Sequence, residues 1–184
     1  MSELRDYSGP FKPDLTFEDF SKEFLLKLMN VWQYAWLHMT EAWYETVNKR
    51  FGTLAADDCE AEAWITIGER VNPRYAKVAN IQLKTVLDSL KALQLPLDNT
   101  IGGLFPADYE IRSPNDVVQT VRRCRTLEYF ETKNPERIDW MCRQCGQGII
   151  KKYLINPDIE VIPLKLPPRK SQDEIACQWQ FKLG

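Results

Sequence analysis

Apolar residues recur at three- and four-residue steps in the first half of the chain and at two-residue steps near its end. From Phe17 onward, Phe20, Phe24, Leu28, Trp32, Trp36, Met39, Trp43 and Val47 fall on one stripe of a helix. Thr16 reads as its N-cap, with Glu18 and Asp19 complementing the helix dipole in the first turn. Lys49-Arg50 followed by Gly52 reads as a cationic last turn and a stop. About 35 helical residues would span roughly 50 Å, whereas a compact domain of this length is roughly 40 Å across. The helix is therefore expected to bend, to break near Asn30, or to project into a partner, and a bend or break is favoured.

The pattern predicts two further helices. One covers 53–69, with Ala56, Cys59, Ala63 and Ile67 on a face beside Trp64. The other covers about 73–93, with Pro73 in its first turn and Val78, Ile81, Leu83, Val86, Leu87 and Leu90 inside. Leu95–Asn115 carries Pro96, Gly102, Gly103, Pro106 and Pro114 and reads as a long loop of the kind that forms lids or binding loops.

In the second half the period changes. Val117–Phe130 reads first as a strand, with a later part that is helix-compatible, and 135–155 as one helix or two pieces split near Gly146 and Gly148. Asp158–Lys165 alternates Ile159, Val161 and Leu164, and Ile175–Leu183 alternates Ile175, Cys177, Trp179, Phe181 and Leu183. Pro167-Pro168 opens a segment that cannot be strand, so the two runs form an antiparallel hairpin. The expected class is α+β, with N-terminal helices packed on a small antiparallel C-terminal sheet. It is a single domain over 1–184: an extended arm (1–15), a helical part (16–94) and a helix–sheet module (110–184).

Charge narrows the function classes. Lys+Arg number 24 against 26 Asp+Glu, and the net charge of −2 offers no basic stripe for nucleic acid or an anionic membrane. The polar start MSELRDYSGPF does not resemble a signal peptide, and no apolar run is long enough for a membrane span. With five cysteines, an odd number, the expected compartment is the reducing cytoplasm.

Three groups of side chains carry candidate chemistry. Trp36, Met39, Trp43 and Trp64, with Trp140 and Trp179, are candidate walls of an apolar ligand pocket, against the plainer reading of aromatics that fill a core. Cys142-Arg-Gln-Cys145 is a CxxC whose members would share a helix face, and Cys124 and Cys177 lie on elements able to pack against it. Zinc on these four is the alternative to structural thiols, which are favoured, so that no cofactor is expected. The lone His38, in the frame His38-x-x-Glu41-x-x-x-Glu45, belongs to a solvated polar face opposite the tryptophans. Arg122-Arg123-x-Arg125 and the acidic Asp57–Glu62 cluster read as a solvated face and a helix-dipole complement.

Cys124 late in a strand, Trp140-Met-Cys142 with Cys145 ending a helix, and a last strand Ile175-Ala-Cys177-x-Trp179-x-Phe181 follow one order. In this the region 110–184 resembles the helix–sheet module of the 4-vinyl-reductase-type hydrocarbon-binding proteins and the related aminothiazoline-carboxylate hydrolase-like family. The resemblance implies binding of a small, largely apolar molecule, in some members with cysteine-bound metal, and hydrolysis in one branch; the matched positions are Cys124, Cys142 and Cys177. The leading expectation is thus a cytoplasmic protein binding a small apolar or amphipathic molecule in an aromatic cavity. A small-substrate hydrolase using a cysteine or metal-bound water, and a scaffold that homodimerises through the long first helix, are the alternatives.

Overall fold

A computed structural model of the chain describes residues 3–97, 99 and 103–184. A 3-10 turn at Phe17–Asp19 leads into α1 (Lys22–Phe51), followed by α2 (Thr53–Arg70), α3 (Asn72–Val78) and α4 (Val86–Leu93). Then come β1 (Ala107–Ser113), β2 (Asp116–Val121), α5 (Arg125–Lys133), α6 (Arg137–Asp139), a π-helical segment (Trp140–Cys145), α7 (Gly146–Tyr153), β3 (Glu160–Lys165) and β4 (Cys177–Lys182). The strands form one antiparallel sheet in the order β1-β2-β4-β3. The class is the α+β expected, and the C-terminal hairpin pairs as the alternation indicated.

Several expectations need correction. Helix α1 is continuous through Asn30, and its 30 residues span about 45 Å. It is kept in bounds by the separate turn before it, where the Ser21 hydroxyl accepts from the Phe24 N–H (3.2 Å). The expected 73–93 helix is two, because Asn80 and Leu83 adopt positive φ and Thr85 starts afresh. There Thr85 and Asp88 cap each other through reciprocal side-chain-to-backbone bonds of 3.1 Å, a capping box. Val78, expected inside, is consequently exposed. The expected 95–115 loop contains β1, while its residues 98 and 100–102 fall outside the described set. The strand through Val117–Phe130 stops at Val121, because Cys124 turns the chain into α5, its sulfur accepting from the Leu127 N–H at 3.3 Å. Leu164 faces out and Cys59 is exposed, contrary to their expected inward positions.

Register explains the core. Val117 lies opposite Phe181, Gln119 opposite Trp179 and Val121 opposite Cys177, with Val161 beyond Phe181 on β3. Strand alternation puts all of these on the face turned to the helices. Val86, Leu90, Leu154 and Ile159 close against Val117, Trp179 and Phe181. Val121, Leu127, Phe130, Ile138 and Ala176 form a second cluster toward the other end of the sheet. The opposite face is polar over much of its length: Gln180 donates to Asp116 (2.7 Å) and Gln178 to Thr120 (2.8 Å).

Candidate functional site

Between α1, α2, α5, α7 and the inner face of the sheet lies a cavity of about 730 Å³. That is within the range of roughly 300–1,000 Å³ usual for small-molecule sites. Its inner wall is apolar: Trp64 from α2, Trp179 and Val121 from the sheet, Leu127 and Phe130 from α5, and Ile149 and Ile150 from α7. At the outer end, α1 contributes His38, Glu41, Tyr44 and Glu45, and α5 contributes Arg125, Tyr129 and Lys133. These positions recur at three and four residues, so each helix presents one face to the space.

An ion cluster fixes which face of α1 turns inward. Arg137 is 5% exposed, and its Nε donates to Asp57 Oδ1 (3.1 Å) while Nη2 reaches Asp57 (3.0 Å) and Glu60. The Tyr44 hydroxyl donates to the same Asp57 oxygen (2.8 Å), and the guanidinium lies 3.7 Å from the Tyr44 ring centroid and 4.7 Å from that of Phe130. Burial, then the bond to Asp57, raises the Tyr44 phenol well above its ordinary range. A buried guanidinium must be paired and hydrogen-bonded. The sequence Asp57-x-x-Glu60 supplies both partners from one face of α2, so these acids do more than complement a helix dipole.

That choice puts the tryptophan stripe outside. Trp36, Met39 and Trp43, expected to wall the cavity, lie on the opposite face of α1 and are exposed to solvent, as is Trp32. Trp140 sits on the π segment near Arg137, 5.8 Å from guanidinium carbon to ring centroid, and does not line the cavity. Trp64 and Trp179 do line it; Trp179 is buried and donates from Nε1 to Cys177 Sγ (3.2 Å). His38, read as solvated, stands at the rim with Nδ1 3.4 Å from Glu41 and its ring tilted against Tyr34, 4.1 Å between centroids. Tyr44, Tyr129, Phe130 and Arg137 escaped sequence reasoning. For Tyr44 the signal is the second period of α1 through Tyr34, Leu37, Glu41, Tyr44 and Asn48, which runs beside the tryptophan stripe; Tyr129, Phe130 and Arg137 lie on later elements and have no such signal.

The four candidate cysteines divide three to one. Cys124, Cys142 and Cys177 all line the cavity and act electrostatically on one another. Burial first, and then the neighbouring thiols, push Cys142 up to about 12; burial likewise carries Cys177 to about 12 and raises Cys124. Cys145 does not line the cavity: burial and the acids Asp57, Asp58 and Glu60 raise its thiol. The π segment is the cause, since its wider i→i+5 winding turns Cys145 off the face that Cys142 occupies. Among the described residues no group of three or more His, Cys, Asp or Glu side chains is placed to hold a metal. The four-thiol convergence weighed as an alternative is not the arrangement of these sulfurs, because Cys145 is turned away from Cys124, Cys142 and Cys177.

The three arginines read as a solvated run separate after β2. Arg122 pairs with Asp108, Arg123 forms two bonds to Glu128 (2.6 and 2.9 Å), and Arg125 joins the cavity rim. No helix among the described residues is long and apolar enough to cross a membrane.

No curated protein matches the chain. Residues 18–183, which include both sides of the cavity, match DUF6125, a family of unknown function, and the chain belongs to that family.

Proposed function

We propose that the protein is a cytoplasmic carrier or sensor of a small, largely apolar molecule, held in the cavity between the helices and the sheet. The observation that carries this reading is the cavity's two-ended chemistry. Trp64, Trp179, Phe130 and Ile149 offer a largely apolar interior, and Tyr129, Glu41 and Glu45 offer hydrogen-bonding groups at the rim. Burial of the Tyr129 ring, then the Glu41 charge and a hydrogen bond to it, raise that phenol and keep it a donor. An amphipathic ligand would place its chain inward and its polar end at this rim. The resemblance of residues 110–184 to the hydrocarbon-binding proteins agrees with such a ligand.

A thiolate nucleophile fits less well, because the three cavity thiols are held protonated by burial, and the thiolate is the attacking species. The test is isothermal titration with straight-chain alcohols from hexanol to dodecanol. Each methylene entering an apolar site contributes about 0.8 kcal/mol, roughly a fourfold gain in affinity. The gain should continue until the cavity is full and then stop. Affinity that does not depend on chain length, or no binding by any member, would refute the reading.

A further inference from the structure

The outer face of α1 is unpartnered. Trp32, Trp36, Met39 and Trp43 follow 4-3-4 spacing, the seam of a helix that packs along another helix, and are 39–66% exposed. Phe17 extends the patch by setting its ring edge against Trp32 at 5.9 Å between centroids. From Leu28 to Thr40 the helix carries no Asp, Glu, Lys or Arg. With roughly 150–250 Å² of surface in a large aromatic side chain, the exposed parts of Phe17, Trp32, Trp36, Met39 and Trp43 come to about 400–600 Å². Two such faces together reach the roughly 1,000 Å² that a specific interface should clear. The patch is also as large as the roughly 300–600 Å² of the largest apolar patch on a typical monomer, which is often functional.

We propose that this face is the site of homodimerisation, with α1 of one copy packed antiparallel along α1 of the other. Self-complementarity argues for a second copy as the occupant. With the two-fold axis passing between Leu37 and His38, Trp36 meets the other copy's Met39 and Trp32 meets its Trp43. The same register opposes the two helix dipoles, which a parallel pair would align. A lipid surface suits the patch less well: the ionic residues of α1 are Lys22, Lys27, Lys49 and Arg50 against Glu23, Glu41 and Glu45, with little of the cationic excess of membrane-surface helices.

The test is sedimentation velocity of the full chain at micromolar concentration, beside flotation with phosphatidylcholine–phosphatidylglycerol vesicles. The wild type should sediment as a dimer and stay off the vesicles. Trp36→Glu should weaken the dimer at least about tenfold with helical content unchanged, since truncating a central interface tryptophan is commonly a hot-spot loss. Met39→Lys, at a more exposed position, serves the same purpose should Trp36→Glu fail to fold. A monomeric wild type, a dimer indifferent to both seam variants, or tryptophan-dependent binding to vesicles by a monomer would each overturn the proposal.

Discussion

Arg137 does more than any other single side chain to hold the cavity wall in place. It joins α6 to α2 through Asp57 and Glu60 and lies between the rings of Tyr44 on α1 and Phe130 on α5. Removing one member of a buried ion pair leaves the others uncompensated, which costs about 3–5 kcal/mol. Arg137→Met should lose that much in urea denaturation, whereas a loss below about 1 kcal/mol would show the cluster to be a minor contributor. The cavity thiols make a second prediction, about pH. Unfolded cysteines ionise near pH 8.5, but in the folded protein Cys142 and Cys177 hold their protons to about 12. The folded state therefore binds more protons in between, and the stability present below pH 8.5 falls as pH rises toward 12. Melting temperatures at pH 7 and pH 10 should diverge more for the wild type than for Cys142→Ser/Cys177→Ser. Equal divergence would mean that the thiols are not the cause.

Two glycines at the scale of elements separate close packing from free space. An added Cβ at Gly68 on α2 would lie 3.0 Å from Lys152 Cβ and Tyr153 Cδ2 and 3.1 Å from the Lys152 carbonyl carbon on α7. Backbone cannot yield as a flexible side chain can, so Gly68→Ala should destabilise by about 1–3 kcal/mol. At Gly148 a Cβ meets nothing within 4 Å, and in the interior of α7 Gly148→Ala should stabilise by about 0.5–1 kcal/mol. Denaturant midpoints moving in opposite directions would bear out the packing of α2 on α7; both moving the same way would contradict it. Most of these elements could be read in advance because local signals mark them. Gly52, at φ 87°, ends α1 where a residue with a Cβ would be strained, and the Ile175–Leu183 alternation carries Trp179 and Phe181 inward. The break after Val78 was also marked, by Thr85-x-x-Asp88, a capping box with Asp in place of Glu, which periodicity alone overlooks. The π segment had no such signal: Trp140–Cys145 has the composition of ordinary helix. Gly146, whose Cβ would meet the Met141 carbonyl oxygen at 3.0 Å, shows its fit only in three dimensions.

At the scale of the whole molecule, the site was half legible. Trp64 and Trp179 were found because each is on an element with a single apolar face. Trp36, Met39 and Trp43 were assigned to the wrong side because α1 has two candidate faces, and tertiary ion pairing rather than hydropathy decides between them. Tyr44 turns inward to reach Asp57, 13 positions along the chain, and Arg137 comes 80 positions after Asp57. A single sequence has no period that records such a meeting. This division leaves two separate surfaces, an inner cavity and an exposed aromatic face of α1, and they can be perturbed independently. The most direct test is isothermal titration of decan-1-ol into the wild type, Ile149→Trp, which sets an indole into the apolar part of the cavity, and Trp36→Glu, which alters only the outer face. The account predicts saturable binding by the wild type and by Trp36→Glu, with affinity changed several-fold in folded Ile149→Trp. Unchanged affinity in Ile149→Trp, or binding abolished by Trp36→Glu, would show that the cavity is not where the ligand goes.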